Sequence, residues 1–235
     1  MRGPGEPAQE AGVTLRDRDR FGKSVVDFYG SSHPRLFEIE RRCMDRDGVL
    51  LSFLDSRLPD GRVLDVGAGD GFTASRLSRA RRAVVALEPD PGMVSRRQPL
   101  VWVSGVVQDL PFHDRTFDAA YSTWAFFLSG LDEAELEAGL SEINRVVVGG
   151  GPIIIAENAG GDEFCSFSGR PIHGDPGWWR ERGFDTHVLE SSFRFDDADE
   201  ARELLTFYFG DGAGERVTCA EVGFNIAVYV GAAAP

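Results

Sequence analysis

Lysine is all but missing from this chain: Lys23 is the only one, and arginine carries the rest of the positive charge. With Lys+Arg at 25 against Asp+Glu at 38, the net charge is −13. A chain so short of positive charge has no basic patch to grip a phosphate backbone, which argues against nucleic acid as a partner. An anionic membrane surface is disfavoured for the same reason. Cysteine is scarce too. Cys43, Cys165 and Cys219 are odd in number and far apart, so they imply neither a disulfide framework nor a metal site, and they suit a reducing compartment. No apolar run reaches the ~18 residues needed to span a bilayer. Residues 1–20, rich in Gly, Pro and alternating Arg and Asp, lack the apolar segment of a signal peptide. These absences predict a cytoplasmic protein whose residues 1–20 form a disordered or weakly ordered tail.

What is present is organised around one stretch, Val63-Leu64-Asp65-Val66-Gly67-Ala68-Gly69-Asp70-Gly71-Phe72. Val63 to Val66 reads as a strand buried in a parallel sheet. Gly67, Gly69 and Gly71 form a turn that lets a ligand approach the main chain, and Phe72 to Leu77 reads as a helix. Strand, glycine turn and helix make the front of a nucleotide-binding βαβ unit. A dinucleotide fingerprint would place its third glycine where Phe72 stands. Asp65 inside the strand adds a carboxylate, which suits a ligand with a cationic group better than a bare pyrophosphate.

This stretch closely resembles the first motif of class I S-adenosylmethionine-dependent methyltransferases, of the type that acts on small molecules. The resemblance is good over Arg62 to Phe127 and continues through Ile155. It implies S-adenosyl-L-methionine as cofactor and methyl transfer to an O, N or C nucleophile of a small-molecule acceptor. It also implies an α/β, doubly wound, seven-stranded, mostly parallel Rossmann-like sheet with a C-terminal antiparallel strand. The residues expected around the cofactor begin with Asp65, Gly67, Ala68, Gly69 and Gly71. Glu88 lies 21 residues after Gly67 at the end of the apolar run Ala83 to Leu87, the distance at which a carboxylate accepts hydrogen bonds from a ribose diol. Pro89 follows it. In the family an apolar residue near Met93 packs on adenine. The acidic residue that often follows the glycine of Gly105-Val106 is absent, so adenine recognition falls to backbone groups around Val107 and Gln108. Ligands of open α/β sheets bind beyond the carboxyl ends of the strands, which brings in Ser122 and Trp124. The Thr123-Trp124-Ala125 run there lacks the acid-or-Asn and double-proline pattern of base methylation.

The rest of the chain reads as one domain over residues 21–235, without repeats or linkers. Residues 21–58 form two amphipathic helices and a lid, with Tyr29 covering the cofactor's methionine end and bordering the acceptor. Residues 59–158 form the cofactor-binding core. Residues 159–235 form an aromatic substrate-side loop and a terminal hairpin; Trp179 and Phe184 have the alternative role of anchoring a helix before the sixth strand. A general base is needed only where the acceptor is protonated, and His173, His33 and Glu157 are the candidates. A homodimer stays open as an assembly. Three rival readings also stay open: a relative that uses the cofactor for a reaction other than methylation, a non-catalytic binding protein, and, more weakly, an NAD-dependent oxidoreductase.

Overall fold

The computed structural model of the protein describes residues 29–95, 97–126, 132–169 and 171–235. The expected tail and the part of the lid segment before Tyr29 therefore lie outside the described residues. Three helices come first: α1 (Tyr29–Ser32), α2 (Pro34–Cys43) and α3 (Val49–Arg57). Pro34 occupies the first turn of α2, where its fixed φ fits and its missing N–H is not needed. The residue that caps α2 is His33, without a side-chain bond; the Ser32 hydroxyl turns back to the Tyr29 carbonyl at 3.1 Å.

The glycine-turn unit follows as β1 (Gly61–Val66), α4 (Phe72–Leu77) and β2 (Arg82–Leu87). Next come β3 (Val101–Val103), β4 (Ala119–Thr123), α5 (Glu133–Val146) and β5 (Pro152–Asn158). The last part of the chain holds α6 (Glu163–Ser166), α7 (Pro176–Glu181), β6 (Asp185–Arg194), α8 (Ala198–Phe209), α9 (Asp211–Gly214) and β7 (Glu221–Ala232). The seven strands form one sheet in the order β3-β2-β1-β4-β5-β7-β6. β1 to β5 are parallel, and β7 runs antiparallel to both β5 and β6. The doubly wound sheet with an antiparallel terminal strand is the architecture expected. The third strand is shorter than the apolar run Leu100 to Val107 suggests. After Val103 accepts from the Glu88 amide at 3.0 Å, the chain turns, with the Asp109 amide on the Val106 carbonyl at 3.2 Å.

Alternate residues of β5 feed two cores. Ile154 and Ala156 point to the face covered by α2, α3, α4 and α8, where Ile39, Leu54, Ala74, Leu77, Leu204 and Leu205 pack. Ile153 and Ile155 point to the face covered by α5 and α7, with Leu136, Ile143 and Trp179. Burial on both faces is what makes these strands continuously apolar. One buried charge stands apart: Arg82 donates to Asp55 Oδ1 at 2.6 Å and to the Pro59 carbonyl at 2.9 Å, so its guanidinium is satisfied beside β2.

The segment from Ala159 to Trp179, expected as an aromatic loop, is partly helical. It contains α6 and the start of α7, and its large rings are divided between the two cores. Phe164 stacks on Phe193 at 4.8 Å on one face. Trp179 stacks on Tyr229 at 5.1 Å on the other and meets Phe184 edge-on at 5.0 Å. The anchoring alternative is the one realised for Trp179 and Phe184.

Candidate active site

The carboxyl ends of β1, β2 and β4 meet at the glycine turn. Gly67 has φ 76°, and a Cβ there would come within 2.5 Å of Ala125 Cβ after β4. Only glycine brings the turn this close to the neighbouring strand end. The Gly67 and Ala68 amides donate to the Leu87 carbonyl at 3.0 and 2.9 Å, clamping the turn to the end of β2. At the start of α4, the Phe72 ring meets two guanidinium groups, Arg76 at 3.4 Å and Arg41 at 4.6 Å from its centroid. Arg41 also pairs with Asp70 at 3.1 Å, tying α2 to the turn.

Two carboxylates dominate the electrostatics. Asp65 is buried in β1 and accepts from the Tyr121 hydroxyl at 2.7 Å through Oδ2. Its Oδ1 is buried and has no hydrogen-bond partner among the described residues. Burial pushes this carboxyl up to about 7, with the Tyr121 bond pulling down and the Glu88 charge pushing further up. A buried carboxylate with one unanswered oxygen fits a ligand that brings a cation. Glu88 is also pushed up to about 7, chiefly by burial. It accepts from the Gly69 amide at 2.8 Å and from the Asp90 amide at 2.9 Å, one on each oxygen. It thus braces the turn, with one acceptor site on each oxygen used and others left over. That bracing had no signal in the sequence beyond the spacing itself. Asp90, buried beside it, accepts from the Gly92 amide at 2.7 Å and from the Ser31 hydroxyl.

The other residues expected around a cofactor are distributed unevenly. Met93 is buried against α1, and a Cβ on Gly30 would lie 2.7 Å from its sulfur. Pro89 is half-buried between Glu88 and Asp90. Val107 turns its side chain onto Gly139 of α5, and Gln108 is half-buried in the same turn. The Ser122 hydroxyl is spent on the Val66 carbonyl at 2.8 Å, binding β4 to β1. Trp124 holds a left-handed backbone, φ 53°, costly for a bulky residue. Its indole N–H donates to Asn158 Oδ1 at 3.1 Å. Tyr29 gives its hydroxyl to a hydroxyl pair with Tyr208, 2.9 Å apart, and its ring meets Phe37 edge-on at 6.0 Å. Phe37 in turn approaches the turn itself, 3.4 Å from a Cβ placed on Gly69.

The three base candidates do not converge. His33 is exposed, its ring 4.9 Å from Phe207 and its Nδ1 bonded to the Ser32 hydroxyl at 2.9 Å. His173 is exposed with Nδ1 on the Gly174 carbonyl at 2.8 Å. Glu157 is buried and turned inward, its Oε1 accepting from the Phe126 amide at 2.9 Å. A cavity of about 400 Å³ instead lies between α6 and the end of α8, lined by Ser168, Gly169, Ile172, Tyr208 and Phe209. Asn158 connects it to the end of β4, donating to the Ile172 carbonyl at 2.7 Å while accepting from Trp124. Among the described residues no His, Cys, Asp and Glu cluster could hold a metal ion, and no helix is long and apolar enough to cross a membrane.

Residues 64–155 match the family described as Methyltransferase domain. Demethylmenaquinone methyltransferase of Beutenbergia cavernae is 40% identical over 103 residues, covering 42% of this chain and 41% of the relative. Malonyl-[acyl-carrier protein] O-methyltransferase of Halorhodospira halophila is 31% identical over 176 residues, covering 70% of this chain and 54% of the relative. This chain therefore spans about half or less of the length of these curated relatives. In fold it is similar to the YcgJ protein of Bacillus subtilis, with a TM-score of 0.55 at 16% identity over 79% of this chain and 98% of that one. The motif of Asp65 and its three glycines, the sheet order and the matched segment agree: residues 64–155 form a methyltransferase-like core within a doubly wound sheet.

Proposed function

We propose that this protein transfers a methyl group from S-adenosylmethionine to a nucleophile of a small-molecule acceptor. The observation that carries the reading is the buried Asp65 carboxylate with its unanswered Oδ1, set in the strand that leads into the glycine turn. When bound, S-adenosylmethionine supplies a methyl group on a sulfonium, together with an ammonium and a ribose diol. Asp65 is suited to the ammonium through its charge, Glu88 to the diol, and the amides and carbonyls around Val107 and Gln108 to the adenine edge. Met93 and the α1–α2 segment that packs on it would cover that cofactor and exclude water. Holding donor and acceptor in line supplies most of the acceleration such a transfer needs, up to several kcal/mol. The acceptor belongs in the cavity walled by Tyr208, Phe209 and Ile172.

The test has two stages. Calorimetry is expected to give binding of S-adenosylmethionine and of its demethylated product, and none of NAD; tight NAD binding would sink the reading. A labelled-methyl assay then screens acceptors. The relatives' names supply the first two, demethylmenaquinone and malonyl-acyl-carrier protein, beside a panel of phenols, amines and carboxylic acids. Cofactor binding with no labelled product from any class would point to the non-methylating alternative.

A further inference from the structure

On the face of the sheet that Asp65 shares, a second carboxylate meets a second tyrosine, at the edge of the cavity. Glu40 of α2 lies beside Tyr208 of α8, near enough that each shifts the other's acidity. Its Oε2 is buried without a hydrogen bond among the described residues. The Tyr208 hydroxyl lies 2.9 Å from that of Tyr29, and Tyr208 also forms part of the cavity wall. Around it Tyr29, Phe164 and Phe209 pack at 5.9, 6.2 and 5.7 Å between ring centroids. The neighbouring charges are engaged elsewhere. Arg41 is on Asp70, Arg42 on Asp196 and Glu200, and on β6 Arg194 is on Asp47 and Glu221. Cys43, beside Glu200, has its thiol pushed up to about 11 by burial and stays neutral. No cation neutralises Glu40 among these groups.

We propose that Tyr208 and Glu40 are the proton-accepting pair of the acceptor site. Tyr208 meets a phenolic or enolic hydroxyl of the acceptor, Glu40 behind it receives the proton, and Tyr29 positions Tyr208 by a hydrogen bond. The inference rests on the methyl-transfer reading and deepens it. The Tyr208 hydroxyl donates toward Glu40, which leaves its oxygen to accept from Tyr29 and from the acceptor. As the acceptor's O–H bond breaks, its proton passes to the Tyr208 oxygen and the Tyr208 proton passes to the Glu40 carboxylate. The acceptor oxygen forms its bond to the methyl carbon while the carbon–sulfur bond leaves its electron pair on sulfur. A carboxylate and a sulfonium become a carboxylic acid and a thioether, so charge balances; the acid then returns its proton to water.

The acceptor class follows first from the cavity wall, where Tyr208, Phe209 and Ile172 offer ring and aliphatic surface to a flat, hydroxyl-bearing acceptor, and the acidity of the pair is consistent with it. Burial pushes Glu40 up to about 7, against the lowering effect of Tyr208, while burial and the Glu40 charge hold the Tyr208 hydroxyl well above its ordinary value. Tyr208 therefore relays and Glu40 stores the proton. A base in this range is matched to an acid of similar strength near neutral pH. A phenol or enol meets that demand, an alkyl alcohol is too weak an acid, and a carboxylate needs no base.

4-Nitrophenol tests the pair, because its ionised form absorbs visible light and its neutral form does not. Titrated into the full chain with S-adenosylhomocysteine present, at a pH just below its own pKa, it is expected to bind saturably and mostly as phenolate. Glu40→Gln and Tyr208→Phe should each lower the ionised fraction of bound probe at least threefold while leaving the circular-dichroism melt in place, and Glu40→Asp should restore part of it. No saturable binding, or equal ionisation on the wild type and Glu40→Gln, would overturn the proposal. The titration is repeated without S-adenosylhomocysteine. Failure of cofactor binding in calorimetry refutes methyl transfer, whereas failure of probe ionisation with cofactor bound refutes only this pair.

Discussion

Two carboxylate–tyrosine pairs on one face of the sheet use the same chemistry in different settings. Asp65 and Tyr121 stand directly opposite each other on paired strands, β1 and β4, and their bond closes at 2.7 Å. Glu40 and Tyr208 come from two helices packed on the sheet, 168 residues apart in sequence. Burial raises both carboxyls to about 7. Strand register fixes Asp65, so its open oxygen suits a stationary cation. The helical pair has no such clamp, and Tyr208 is shared with Tyr29 and the cavity. Rigid backing favours holding a charge, and shared hydroxyls favour moving a proton.

The largest separation between the pairs is expected in cofactor affinity. Asp65→Asn keeps the shape and removes the charge. It should weaken S-adenosylmethionine binding by about 1.5–3 kcal/mol, the worth of a hydrogen bond to a charged group. Glu40→Gln should change that affinity by no more than ~0.5 kcal/mol, as expected away from the contact. Calorimetry on both variants decides it, and equal losses would erase the distinction. Glu88→Ala should weaken binding by a similar 1.5–3 kcal/mol and also quicken amide hydrogen exchange at Gly69 and Asp90. Unchanged exchange would show that the brace is dispensable.

Titration offers a gentler probe. Asp65 has a folded value of about 7 against an ordinary 3.8, and Glu88 and Glu40 about 7 against 4.5. Between those limits the folded state holds protons that the unfolded state has lost, so stability falls as pH rises toward 7 and is greater on the acid side. The ligand-free melting temperature should therefore decline from about pH 5 to above pH 7. Asp65→Asn should flatten the curve; a wild-type curve that rises over this range would contradict the raised carboxyls. Cofactor affinity should run the other way, weakening as protons fill Asp65 and Glu88 below pH 7. The smallest effect is assigned to Tyr121→Phe, which removes one buried hydroxyl from Asp65. It should cost about 1 kcal/mol in denaturant unfolding, with Asp65 pushed higher still.

The elements of the proposed cradle were legible because they are local. Asp65, three alternating glycines and a carboxylate one βα unit later are set by backbone geometry within a short stretch, and the fold places them together. The proposed acceptor side was not legible, because its groups meet only through packing of distant helices: nothing near Glu40 announces Tyr208. Aromatic density alone did not resolve Ala159 to Trp179, since a ring-rich segment does not say which face of the sheet receives each ring. Phe164 and Trp179 went to opposite cores. Glu157 looked available at the end of its strand, yet strand alternation and the Phe126 amide turned it inward.

The sheet order has a consequence for synthesis on the ribosome. β7 lies between β5 and β6 and bonds to both, but it emerges after them. Until residues 221–232 are released, β5 presents an unpaired outer edge and β6 has no neighbour in the sheet. The parallel half from β1 to β5 can assemble while the chain is still being made, whereas Phe193, Phe224 and Tyr229 must wait for the last strand to close over them. For that interval two open strand edges and their apolar residues are exposed to other nascent chains. A stalled chain ending before Glu221 should accordingly recruit holding chaperones, and one extended past Ala232 and clear of the exit tunnel should release them.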